Sequence, residues 1–217
     1  DTVNLTDVAL ESLNEQVFLR ALSAIDAQFS ADPLTRARLQ LTLGDTMVEL
    51  GLHAGAETPI TSALAIRATS LGDDAPETLV AEQSLANLHI QRGDLAAAEA
   101  AARQNLERRR RVLGAEHPDT TESLNMLASV FQAQRRLAEA EPLFRQALES
   151  ARRLGGPDSD MAVVLLNNVS SILLQQRRYV ECEPIAREAH ERMSRVFGPD
   201  DPRTLYGLAN VGLALMG

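Results

Sequence analysis

Residues 117–148 read HPDTTESLNMLASVFQAQRRLAEAEPLFRQAL, and this stretch decides the fold class. Leu124, Leu127, Ala128 and Phe131 stand at i, i+3, i+4 and i+7, one face of a helix. Ala140, Phe144, Ala147 and Leu148 set out a second helical face after Arg135-Arg136. Pro118 suits a helix's first turn. Asp119 falls where the helix dipole is positive.

The pattern recurs along the chain with a period of 42. Ala56, Ala98, Ala140 and Cys182 form one column, and Glu57, Glu99, Glu141 and Glu183 form the next. Leu43, Leu85, Leu127 and Val169 keep the same step, as do Gly44, Ala86, Ala128 and Ser170. A fixed period of this length means a solenoid of stacked units. The spacing predicts first helices near 35–50, 77–91, 119–134, 161–176 and 203–216. Second helices fall near 54–70, 95–112, 137–153 and 179–196. Gly51 and Gly93 separate the two helices early in the chain, and Arg135-Arg136 and Arg177-Arg178 fill the same turn later. The small columns let neighbouring helices approach closely.

The expected organisation is a capping helix within 1–32, then repeats at about 33–74, 75–116, 117–157 and 158–200 and a partial one at 201–217. Thr6 or Asp7 suits the N-cap of the capping helix. Leu13, Phe18, Leu22, Ile25 and Phe29 supply its apolar stripe, which covers the open end of the first unit as solenoids require. At the other end, Leu205, Leu208, Val211 and Leu215 are expected to pack inward. Tyr206, Leu213 and Met216 then face out, a basis for pairing two copies through the last helix.

Composition narrows the function. Formal net charge is −9, which repels phosphate backbones, so nucleic acid is not an expected partner. Aromatic residues make up only 3% with no Trp, so the core must be built from Ala, Leu, Val and Ile. The single Cys182 excludes an internal disulfide framework. No apolar run reaches the roughly 20 residues of a membrane span, so no membrane insertion is expected. The first residue is Asp, and the chain reads as a piece of a longer protein whose compartment is left open.

The units resemble tetratricopeptide repeats of the long, 42-residue kind. His117-Pro118-Asp119-Thr120 and Ala138-Glu139-Ala140-Glu141-Pro142-Leu143-Phe144 resemble the kinesin light chain class of these repeats. Similar repeats occur in bacterial signalling proteins. The junction at Asp32-Pro33 and Leu39-Gln40-Leu41-Thr42-Leu43-Gly44 resembles the region following the kinase domain of some bacterial serine/threonine kinases. No Gly-rich phosphate loop or catalytic-loop triplet accompanies it. The resemblance implies an all-α, right-handed superhelical solenoid that holds a protein or peptide and is not itself an enzyme. The alternative reading is a structural spacer or self-association domain.

In such arrays the first helices line the concave face. The expected lining is Arg38, Leu41, Asp45 and Glu49, then Gln83, Asn87 and Gln91. Asn125, Ser129 and Gln132 follow, then Asn167, Asn168, Ser171 and Gln175, and last Tyr206 and Asn210. Amides offer both donor and acceptor, as a peptide backbone does. Kinesin-light-chain-type repeats carry a Leu-Asn-Asn-Leu-Ala pattern whose Asn residues touch bound peptide. It stands here as Leu124-Asn125-Met126-Leu127-Ala128 and Leu166-Asn167-Asn168-Val169-Ser170. The resemblance therefore implies a site centred on Asn125, Asn167 and Asn168.

Other features read as structural. Arg108–Arg111 ends a helix, where cations complement the dipole, and four successive residues point in four directions. His53, His89, His117 and His190 lack zinc-pair spacing, so neither a metal nor a cofactor is expected. His89 shares a core column with Met47, Phe131 and Leu173, and Cys182 fills a small core position. The Glu column is periodic, which marks packing, whereas catalytic carboxylates lie close together.

Overall fold

The structure, a computed structural model, describes residues 14–217. A single π-helical turn at Asn14–Phe18 leads into α1 (Leu19–Gln28). Then come α2 (Pro33–Glu49), α3 (His53–Leu71), α4 (Pro76–Arg92) and α5 (Leu95–Leu113). The remainder is α6 (Pro118–Ala133), α7 (Leu137–Gly155), α8 (Asp160–Gln175), α9 (Tyr179–Val196) and α10 (Pro202–Met216). There is no strand among the described residues. Two compact units divide between Arg108 and Arg109.

The helix boundaries follow local chemistry. Pro33, Pro76, Pro118 and Pro202 open α2, α4, α6 and α10, a position where the missing N–H has no intrahelical acceptor. Asp32, Ser159 and Asp201 accept hydrogen bonds from backbone N–H groups in the first turns of α2, α8 and α10, satisfying donors that the helix itself leaves open. Gly51 and Gly93 turn first helix into second with φ of 79°. Arg135 and Arg177 make the same left-handed turn at 62° and 61°. A residue with a Cβ is disfavoured there by roughly 1–2 kcal/mol.

In the first unit, Phe18 joins Ala37, Leu41, Met47, Ala56 and Ile60 in one buried cluster. The expected Thr6 or Asp7 cap and Leu13 lie outside the described residues. Gly44 shows why its column is small. A Cβ there would come within 2.6 Å of Ile60 Cγ1 on the paired second helix. In the second unit Ser170 of α8 meets Cys182 of α9 at the same crossing, the thiol donating to the Ser170 carbonyl at 3.3 Å. Burial pushes that thiol's pKa up, so it is not a ready nucleophile.

Two expectations are corrected by the packing, and the arginine run gains a specific structural role. Arg109 is the buried member of that run. It is 1% exposed, with Nη1 donating to the Asp119 carbonyl at 2.7 Å and to Ser123 Oγ at 3.1 Å. Arg67, 42 residues earlier, donates to the Glu77 carbonyl at 2.6 Å in the same manner. The first correction concerns the Glu column, which is not a packing column. Glu141 pairs with Arg178 at 2.6 Å and Arg145 at 3.0 Å, and Glu57 pairs with Arg92. Solvent screens such exposed pairs, so these ties set register more than stability.

The second correction concerns α10. Its inward residues are Thr204, Gly207, Asn210 and Ala214, not Leu205, Leu208 and Leu215. A Cβ on Gly207 would meet Met193 Sδ at 3.3 Å and Asn167 Oδ1 at 3.6 Å. The glycine lets α10 approach closely, which rotates its leucines outward.

Candidate functional site

The first helices of the second unit, α6, α8 and α10, are joined by rungs of amide hydrogen bonds. Asn168 Nδ2 donates to Asn125 Oδ1 at 2.9 Å. One repeat on, Asn210 Nδ2 donates to Asn167 Oδ1 at 2.9 Å and to Ser170 Oγ at 3.2 Å. Both rungs span 43 residues, so each first helix advances one residue beyond the repeat period. Gln132 Nε2 adds a bond to Ser171 Oγ at 3.3 Å.

The two rungs differ in depth. Asn125 and Asn168 are half-buried. Among the described residues, Asn125 Nδ2 and Asn168 Oδ1 take no other hydrogen bond, so this rung presents a donor and an acceptor outward. Asn167 is 5% exposed and Asn210 is 3% exposed. Their amides satisfy each other in the seam, as buried polar groups must. Ser171 is buried there as well. These three were expected on the open face. A step of about 100° around the helix separates face from seam, and Asn167 and Asn210 lie on the seam side.

Beside the outer rung lies an open recess of ≈ 530 Å³ lined by Ser129, Gln132, Ala133, Arg135 and Gln175. Arg135 sits at its edge because its left-handed turn ends α6 there. Its guanidinium Nη1 lies 3.4 Å from Gln175 Oε1. Gln175 also borders a second recess of ≈ 380 Å³ with Leu174, Tyr179, Leu213 and Met216. The track thus runs from a polar pocket to an apolar one. Sequence reasoning named Ser129, Gln132 and Gln175 but missed Arg135. The available signal was its place in the column of Gly51 and Gly93.

The first unit offers less. Gln83 and Asn87 of α4 are half-buried. Leu41 belongs to the core, not to an open face. Asp45 accepts from Ser84, and burial raises its carboxyl pKa above the ordinary value against that bond. Gln40 is buried and committed at both ends, donating to Asp26 at 2.7 Å and accepting from Ser62 at 3.0 Å. No described cluster of three His, Cys, Asp or Glu could hold a metal. No described helix is long and apolar enough to cross a membrane.

Family models described as tetratricopeptide repeat match residues 77–153 and 123–170, and a second such model matches 164–203. The chain belongs to the tetratricopeptide-repeat family. No curated protein matches it. Among solved structures it is similar to BtubC (BKLC) from P. vanneervenii, at TM-score 0.75 and 20% identity over 99% of this chain and 84% of that one. It is also similar to kinesin light chain TPR-like repeats from Podosopora anserina, at TM-score 0.70 and 19% identity over 83% of this chain and 86% of that one. A point variant of the latter matches at TM-score 0.70 and 18% identity over 83% of this chain and 85% of that one. At these identities the likeness establishes the fold, a TPR solenoid of kinesin-light-chain kind. TPR domains are generally protein-interaction modules, and the fold is typically non-catalytic.

Proposed function

We propose that the second unit holds an extended peptide segment of a partner protein along α6 and α8. The observation that carries this is the outer rung, where Asn125 Nδ2 and Asn168 Oδ1 point outward beside the recess at Ser129, Gln132, Arg135 and Gln175. A peptide main chain offers the complementary acceptor and donor, and the recesses select side chains. Asn167, Asn210 and Ser171 hold the rungs in place and do not touch the peptide. A role within a larger bacterial signalling protein fits the resemblance of the repeats.

The test is selection of binders from a displayed library of random peptides about 12 residues long, enough to span both recesses when extended, followed by anisotropy titration of the best one. Asn125→Ala with Asn168→Ala is expected to weaken binding at least about tenfold, near 1.4 kcal/mol, with the melting curve little changed. Full affinity in the double variant would remove the rung from the site. A library that yields no binder would remove the function.

A further inference from the structure

The turn column Gly51, Gly93, Arg135 and Arg177 changes chemistry without changing geometry. All four residues are left-handed, the glycines at φ of 79° and the arginines at 62° and 61°. Glycine takes that conformation freely, and arginine takes it under strain. Strained residues of this kind gather at binding sites. The chain itself does little to hold the Arg135 side chain. It is exposed, and among the described residues its guanidinium meets only Gln175 Oε1, a neutral acceptor 3.4 Å away.

The next residue shows the contrast. Arg136 is committed inside the fold, gripping both oxygens of Glu139 at 2.7 Å each and lying over the Phe131 ring at 4.3 Å. Glu139 is the nearest acid to Arg135 along the chain, and Glu181 is the next acid after Gln175. Arg178 holds Glu181 at 2.6 Å, so the acids of both turns are already paired. The recess beside Arg135 holds no other charge, its remaining lining being Ser129, Gln132, Ala133 and Gln175. Ser171 Oγ takes one N–H from each glutamine amide, at 3.3 Å and 3.5 Å, which leaves each amide a second N–H. The recess therefore offers donors around one cation and no anion. Its bounding helices α6 and α8 have their own second helices α7 and α9 in place, so it belongs to complete repeats.

We propose that Arg135 sets the specificity of the peptide track by pairing with a carboxylate side chain, aspartate or glutamate, of the bound segment. This rests on the peptide-binding reading above and goes beyond it in naming the side chain that the polar recess takes. The planar fork of the guanidinium matches the two oxygens of a carboxylate. Gln175 gives way at the fork, and the spare glutamine N–H groups close around the anion. The formal net charge of −9 does not oppose the pair at contact, because exposed charges farther away than about 8 Å are screened at physiological ionic strength.

The test pans the random-peptide library in parallel on the parent chain and on Arg135→Gly, which keeps the turn and removes the guanidinium. Peptides selected on the parent are expected to carry Asp or Glu at one position well above the unselected library. Those selected on Arg135→Gly should lose that excess. In anisotropy titrations, replacing the acid by its amide should weaken binding to the parent about tenfold and leave binding to Arg135→Gly unchanged. Added NaCl should weaken the acidic peptide more than its amide twin. Arg135→Lys, which keeps the charge but not the fork, should keep the salt dependence with part of the affinity. The amide twin is tested on the parent chain itself, so the result does not depend on a variant folding. Binders without an acidic position, or an equal excess on both proteins, would overturn the proposal and leave the peptide track standing. A library that yields no binder would remove the track and this inference with it.

Discussion

Gly51 and Gly93 turn the helix pairs of the first unit, while Arg135 and Arg177 make the same turns in the second. Glycine makes a left-handed turn without strain but leaves the turn bare. Arginine accepts strain, and Arg135 places a guanidinium at the border of a recess. The polar positions diverge in the same way. The first unit sets a carboxylate, Asp45, against Ser84, and the second sets amide against amide. Backbone demands hold the period constant, while the side chains diverge between the units.

The largest test of this contrast removes Phe144, fully buried in α7. Phe144→Ala is expected to destabilise the protein by about 3–5 kcal/mol. Hydrogen exchange should show faster exchange in the helices after Arg109 than in α2–α4. Equal acceleration everywhere would erase the distinction between the units. Next comes the inner rung. Asn210→Ala leaves the buried Asn167 without its partner and should lower stability by about 1–3 kcal/mol, read by urea denaturation. Asn87→Ala in the first unit should stay within about 0.5 kcal/mol, as for a half-exposed position.

Exchanging the turn residues gives a smaller effect of opposite sign in the two units. Arg135→Gly should raise stability by about 1 kcal/mol, and Gly93→Arg should lower it by a similar amount. If Arg135→Gly is destabilising in a melt, the arginine holds the turn through contacts that outweigh its strain.

The smallest effect is in pH. The Asp45 carboxyl is raised by burial, so the native state holds this proton more tightly than the unfolded chain. Its contribution is present below the ordinary value of 3.8 and is lost as pH rises through the native pKa. Asp201 is the reverse. The hydrogen bond from Arg203 holds its pKa down to about 2 from an ordinary value of 3.8. Its contribution is present above that ordinary value and is lost as pH falls toward 2. Carboxyl titration by NMR should show the two midpoints displaced to opposite sides of the ordinary value. Coincident midpoints would refute the assignment.

The columns that define the fold were legible because sterics repeat: Gly44, Ala86, Ala128 and Ser170 all sit where helices cross. Much of the candidate face was legible too, since Ser129, Gln132 and Gln175 line a recess. What escaped the sequence was helix rotation. Hydrophobicity places Leu205, Leu208 and Leu215 inward. The close approach at Gly207 instead turns Thr204, Asn210 and Ala214 toward α8 and α9, and with them the Asn167 amide. Arg109 escaped for a related reason. A helix-end role accounts for the run as a whole, and only its register with Arg67 shows that one member reaches a backbone carbonyl.

The ion pairs between blocks bear on how much the turns can vary without opening a seam. Glu57 reaches Arg92 and Glu141 reaches Arg178, each tie crossing from one block of the repeat into the next. The glutamates share a column, but the arginines do not: Arg92 stands just before the left-handed residue Gly93, and Arg178 stands just after Arg177. The carboxylate is the fixed half of the clasp, and the guanidinium on its long stem is the half that can move. A turn can therefore be rewritten while the seam beside it still closes.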